Sequence, residues 1–141
     1  NFEKVSEQPN PATPDEPVTI FAMEGGGPGK EVHIIEQPGL RNAFLGRGGV
    51  HHVAFRLTDA SEQEKWLERL GSYRVRNSGL VDRFYFKSLY FRISNGILFE
   101  LATDGPGFDA DEPLETLGEK LALPPFLEPY REQIEANLKP V

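Results

Sequence analysis

Residues 50–103, VHHVAFRLTDASEQEKWLERLGSYRVRNSGLVDRFYFKSLYFRISNGILFELAT, decide the fold. The run Val50 to Leu57 sets Val53, Phe55 and Leu57 on one face of a strand. It sets His52, Ala54 and Arg56 on the other, because side chains alternate along an extended backbone. Ser61-Glu62-Gln63-Glu64 has the form of a capping box, which predicts a helix with Trp66, Leu67 and Leu70 on one side and a stop at Gly71. An extended piece is expected around Tyr73-Arg74-Val75. Two strands then follow, Phe84 to Ile93 and Ile97 to Thr103, joined by the hairpin signal Ser94-Asn95-Gly96. The order is βαβββ, an α+β arrangement.

Outward from this unit the chain is less regular. Residues 1–17 are polar, carry four prolines and read as an extended lead-in or loop. The apolar run Val18 to Met23 leads into EGGGPGKE, and EVHIIEQP then reads as a strand. A phosphate loop needs its glycines to open a helix with a Lys-Ser/Thr pair. Gly29-Lys30-Glu31 runs into a strand instead, so a hairpin is expected. Residues 40–49 form a connector and residues 104–113 an acidic loop. Two helical pieces are expected beyond it, Glu115 to Leu123 and Leu127 to Leu138, with Pro129 tolerated in the first turn of the second. The expected division is residues 1–48 as strands from the end of a preceding βαβββ module, 49–112 as one complete module, and 113–141 as a helical tail packing on it.

Composition limits what such a chain does. It has 141 residues, of which 38% are apolar, enough to bury a core. Lys plus Arg number 15 against 22 Asp plus Glu, a net charge of −7 that disfavours nucleic acid and anionic membranes. Cysteine is absent, which removes disulfides, thiolate metal sites and Cys nucleophiles, and suits a cytoplasmic setting. No apolar run approaches the ~20 residues of a membrane span. The chain begins at Asn1 and its one methionine is Met23, so a piece of a longer protein is expected.

Two residues stand out chemically. Glu100 lies in ILFELATD, the most apolar strand, where a carboxylate costs several kcal/mol unless it is paired or binds a metal. His52 shares its face with Ala54 and Arg56. His52 and Glu100 sit on the first and last strands of one unit, and a curled sheet brings both to one pocket. A histidine and a carboxylate are two-thirds of the facial triad of non-heme iron(II) oxygenases. The plain alternative for Glu100 is an ion pair with Arg83 or Arg92.

The segments GRGGVHHVAF, DRFYFKSLYFR, GILFELATDGPGF and LGEKLALPPFLEPYREQIEANL resemble the hydroquinone-type ring-cleaving dioxygenases of the vicinal oxygen chelate superfamily. That superfamily also holds glyoxalase I and the extradiol dioxygenases. The resemblance runs from about residue 20 to residue 139. HHVAF occurs across the superfamily, whereas DRFYFKSLYFR followed by LFELATDGPGF is specific to the hydroquinone-cleaving branch. The resemblance implies βαβββ modules forming a curved mixed sheet, with a C-terminal helical tail. It also implies an Fe(II) enzyme about twice this length, of which this chain is the C-terminal portion. His52 and Glu100 would bind the metal, and His51, Arg83 and Tyr90 would be catalytic. The third ligand, a histidine of the first module, is not in this chain, and His33 is a poor substitute. The family's Glu-Pro-Gly-Gly hairpin is replaced here by Ile93-Ser94-Asn95-Gly96.

The implied substrates are an aromatic diphenol and dioxygen, and the implied assembly is a homodimer or pairing with the missing N-terminal half. Phe126 and Tyr130 could close an aromatic pocket. Competing readings are a glyoxalase-like lyase or isomerase, and a metal-free binding module or inactive fragment.

Strand parity adds tests. His51 should face away from His52 unless the strand start is twisted. Arg83 and Tyr90 are an odd interval apart, so a bend or bulge must intervene if they share a pocket. A two-residue turn at Asn95-Gly96 would set Phe91 opposite Glu100. A three-residue loop, with Gly96 at positive φ, would set Tyr90 there instead. Only the second register fits the implied role of Tyr90, and it is the one expected.

Overall fold

A computed structural model describes residues 2–41, 44–93 and 96–139. The chain divides into two units, residues 1–43 and 44–141.

The first unit is an antiparallel sheet of three strands, β1 (Glu3–Gln8), β2 (Val18–Ala22) and β3 (Glu31–Ile35), with β2 central. Of the two readings of residues 1–17, extended lead-in or loop, strand β1 takes the extended one over Glu3–Gln8. The prolines begin only at Pro9, so no residue of EKVSEQ lacks an N–H and the segment can pair with β2, with one irregularity at Val5. The glycine-rich stretch is a hairpin loop, in which Met23 N–H donates to Lys30 O and Glu31 Oε1 accepts from Gly27 N–H.

The second unit holds β4 (His52–Leu57), α1 (Ala60–Ser72), β5 (Asn77–Asp82), β6 (Lys87–Arg92) and β7 (Leu98–Thr103), the expected βαβββ order. The sheet order is β4-β7-β6-β5, with β4 parallel to β7 and the other pairs antiparallel. Helix α1 makes the crossover a parallel pair requires. One face of the sheet meets the helix in a core of Leu57, Leu70, Leu89 and Leu101, bordered by Phe55, Trp66, Leu67, Val75 and Phe91. Phe55, Leu57 and Leu101 lie on the face that alternation predicts, whereas Val53 of the same set is exposed and outside the core. The opposite face is left for polar side chains.

Several boundaries move. The helix cap is Asp59, not Ser61: its carboxylate accepts from Glu62 N–H, and Glu62 reaches back to Thr58 N–H. The reciprocal pair is therefore Asp59 and Glu62, two positions before the expected box. The helix passes Gly71, and Arg74 rather than glycine takes the left-handed conformation that ends it, at φ 56°. The extended piece expected at Tyr73–Val75 is thus the helix exit, and the strand forms at Asn77–Asp82. Strand β6 begins at Lys87 because Phe84, at φ 71°, belongs to the turn before it.

The tail departs further. Glu115–Leu123 forms only a single 3-10 turn, Leu114–Thr116, because Gly118 lies inside the segment and Pro124 closes it. A 3-10 turn at Glu128–Tyr130 leads into α2 (Arg131–Asn137). Arg131 bonds Glu128 and Glu135, contacts that raise its pKa further. Among the described residues no helix is long and apolar enough to cross a membrane.

Candidate metal centre

The face away from α1 carries a row of directly paired residues across three strands: Ala54 on β4, Glu100 on β7 and Tyr90 on β6. The rows on either side are His52, Leu98 and Arg92, and then Arg56, Ala102 and Ser88. Tyr90, not Phe91, stands opposite Glu100. The register agrees with the three-residue loop. Ile93 N–H donates to Ile97 O, Gly96 N–H donates to Ile93 O, and Gly96 has φ 85°. Ser94 and Asn95, the rest of that loop, lie outside the described residues.

Glu100 is 3% exposed, yet both of its oxygens have partners. Oε2 lies 2.8 Å from His52 Nε2, and Oε1 accepts from the Ser88 hydroxyl at 2.5 Å. The plain alternative, an ion pair with Arg83 or Arg92, does not form. Arg92 donates to Gly96 O, and Arg83 donates through Nε to the Tyr90 hydroxyl at 3.1 Å. The Arg83 guanidinium also lies over the Tyr90 ring, 5.1 Å from its centre, and that ring meets the His52 ring edge-on at 6.4 Å.

The parity questions have local answers. His51 precedes the first residue of β4 and so escapes strand alternation. Its Nδ1 lies 2.8 Å from His52 Nδ1. Arg83 lies in the turn between β5 and β6, where its N–H donates to Phe86 O at 2.8 Å and Phe84 supplies the left-handed bend. Arg83, Tyr90, His52, His51 and Glu100 therefore form one connected group. His33 is not part of it: it is in the first unit, with Nε2 2.8 Å from Glu31. Phe126 and Tyr130 are exposed.

The donor set fits a cation. Of two Nδ1 atoms in contact, one donates and the other accepts. When His52 is the donor, its Nε2 presents a lone pair beside the carboxylate Oε2, an arrangement that suits a shared positive ion. Two neighbouring ligand atoms on an ion with bonds of ~2.1 Å lie about 3 Å apart. The observed 2.8 Å is hydrogen-bond distance, and it leaves both atoms near enough to reach one ion with a small separation. Among the described residues no group of three or more His, Asp or Glu is gathered to hold a metal. Arg56 is occupied elsewhere on the face. It grips Asp104 with Nε and Nη2, which lowers the Asp104 pKa.

Ser88 escaped the sequence reading. The signal was available, since it lies two residues before Tyr90 on the same strand and must share its face.

The βαβββ unit with its curved mixed sheet has the vicinal oxygen chelate fold. The chain is similar in sequence to ring-cleaving dioxygenases. In sequence it is 52% identical over 122 residues to MhqA of Bacillus subtilis strain 168, a protein assigned as a ring-cleaving dioxygenase. That match takes in 86% of this chain and 39% of MhqA. It is 41% identical to MhqE of the same strain, with the same assignment, over 94% of this chain and 41% of the relative. It is 34% identical to a chlorohydroquinone/hydroquinone 1,2-dioxygenase of Sphingobium indicum, over 81% of this chain and 36% of that enzyme. The chain thus spans about two-fifths of the length of the curated relatives it matches. A crystal structure of a Bacillus subtilis protein assigned as a dioxygenase superposes with a TM-score of 0.84 at 38% identity, covering 99% of this chain and 42% of that one. A glyoxalase/bleomycin resistance/dioxygenase domain from Frankia shares the fold at 15% identity, with a TM-score of 0.60 over 77% of each chain. No family model matches the chain.

Proposed function

We propose that this chain is the C-terminal part of an Fe(II)-dependent dioxygenase that cleaves the ring of hydroquinone-type diphenols. In this reading His52 Nε2 and Glu100 Oε2 are two of three protein ligands, and a histidine outside residues 1–141 is the third. The first unit is the end of a preceding βαβββ module, and the assembly is completed by the rest of the protein and by a second copy. The observation that carries the reading is the 2.8 Å approach of His52 and Glu100 from the two parallel strands of one sheet.

Bound Fe(II) would supply the redox and Lewis-acid chemistry that dioxygen needs to react with an electron-rich ring. The chain's own residues do the rest. Glu100 and His52 fix the position of the ion relative to the sheet. Arg83 directs a permanent positive charge at the pocket, where negative charge grows on oxygen atoms during ring attack. Its Nε–H donates to Tyr90 Oη, so the phenolic proton of Tyr90 remains available for a substrate oxygen. His51 bonds His52 through Nδ1, which leaves its Nε2 free to carry a proton. The group contains a single carboxylate, which favours this chemistry over a lyase built on two.

The test is oxygen uptake by the complete protein, loaded anaerobically with Fe(II) and mixed with hydroquinone. Uptake with stoichiometric ring-opened product is expected, together with its loss in His52→Ala and Glu100→Ala. Undiminished uptake in either variant overturns the assignment of that ligand, and no uptake with any para-diphenol overturns the function.

A further inference from the structure

Glu100 has two oxygens, and the proposed metal uses one. The other is held by Ser88, which is fully buried and lies on β6, beside β7. An ionised carboxylate only accepts hydrogen bonds, so the Ser88 hydroxyl must be the donor in this contact. Ser88 is paired with Ala102, so it approaches Glu100 diagonally across the ladder, while His52 approaches from β4 on the opposite side. The carboxylate is thus pulled from both flanks, with Oε1 turned towards β6 and Oε2 left to face His52.

We infer that Ser88 is a positioning residue for the metal site. Its hydroxyl ties down Oε1, and so fixes the carboxylate plane that presents Oε2 as a one-oxygen ligand beside His52. This rests on the proposed assignment of Glu100 as a ligand. The physical case is burial. Without Ser88, Oε1 would be a buried charged acceptor with no partner, a state that costs far more than a neutral orphan. The carboxylate would relieve it by turning, which moves Oε2 away from its place. Partners that orient a metal ligand in this way typically change metal affinity by ~10- to 100-fold when removed.

The experiment measures Mn(II) binding to the complete apoprotein, by calorimetry and by the EPR spectrum of the bound ion. The proteins compared are wild type, Ser88→Ala, Ser88→Thr and Glu100→Ala, each checked by circular dichroism. Ser88→Ala should bind Mn(II) about 10- to 100-fold more weakly with an altered EPR splitting. Ser88→Thr, which keeps the hydroxyl, should recover most of the affinity. Wild-type affinity and spectrum in Ser88→Ala overturn the inference, provided Glu100→Ala has lost the metal. Equal weakening in Ser88→Thr and Ser88→Ala, with both folded, also overturns it, since packing rather than the hydroxyl would then be at work. Should Glu100→Ala bind like wild type, or wild type bind no Mn(II), the ligand assignment itself fails and the role of Ser88 falls with it.

Discussion

Replacing Arg83 with lysine separates a charge from a shape. The substitution keeps the positive charge and most of the stem, so a residue that only balanced a carboxylate would tolerate it. Arg83 does not act that way here. Its Nε–H is committed to Tyr90 Oη at 3.1 Å and its guanidinium rests over the Tyr90 ring, so in the proposed reading any contact to substrate falls to the two terminal nitrogens of the fork. Lysine carries a single nitrogen, one atom further out than Nε. It can replace the bond to Tyr90 or the contact to substrate, but not both in one conformation. The variant therefore loses at least one hydrogen bond made by a charged group, about 1.5–3 kcal/mol. At 1.36 kcal/mol per decade this is a fall of roughly 10- to 100-fold in kcat/KM. The assay is steady-state oxygen uptake with hydroquinone by the Fe(II)-loaded complete protein, with metal content measured for both forms. A loss confined to kcat/KM at equal iron content is expected. Near-normal kinetics would mean that the fork touches nothing in the reaction, and Arg83 would be merely an anchor for Tyr90.

Other perturbations test the scaffold. Leu89 is fully buried in the helix-facing core, so Leu89→Ala should cost about 3 kcal/mol, read as a lower denaturation midpoint; a change well below this would mean the core collapses around the gap. Gly96→Val forces a β-branched residue into φ 85° and should weaken Mn(II) binding by disturbing the register of Tyr90 against Glu100, whereas Gly96→Asn should be milder; equal effects would contradict the conformational argument. The Asp59 carboxyl is held below the ordinary aspartate range, chiefly because it accepts the Glu62 N–H. A depressed folded-state pKa contributes stability above the unfolded value, near 3.9, and loses it as pH falls through the folded value. Asp59→Asn should therefore flatten the decline in urea midpoint below about pH 4 relative to wild type. Parallel acid limbs in the two proteins would show that the cap contributes nothing through its charge.

Alternation made the two faces of the second unit legible. Once Val53, Phe55 and Leu57 are placed on the core side, His52 is fixed on the other, and the same counting places Glu100 away from Phe99 and Leu101. Local backbone choices were not legible. Phe84 and Arg74 take left-handed conformations that bulky residues avoid, and no composition signal marks them. Phe84 nevertheless decides where Arg83 points. The helix start is ambiguous in the sequence because two overlapping patterns, Asp59 with Glu62 and Ser61 with Glu64, both satisfy the spacing of a capping box. Only the actual first turn shows which aspartate or serine meets a free N–H.

The site itself depends on strand order more than on strand sequence. Glu100 is the most expensive residue to bury, and its two partners come from strands on opposite sides of β7: His52 from β4 and Ser88 from β6. The neighbour in sequence, β6, is joined to β7 by a hairpin, so counting back from Gly96 reaches it. The other neighbour, β4, begins 46 positions earlier and is brought alongside only by the crossover through α1. The helix thus has a functional consequence without touching the pocket. By returning the chain in parallel register it sets Ala54 opposite Glu100, and a small side chain there leaves His52, two pairs further along on the same face, room to reach the carboxylate. A bulky residue at position 54 would stand between the sheet and the space the ion needs. Ala54→Leu should therefore weaken Mn(II) binding while leaving the helix-side core, and so the denaturation midpoint, nearly unchanged. Retained metal affinity in that variant would show that the ion sits clear of the sheet, and the ligand geometry drawn from His52 and Glu100 would have to be abandoned.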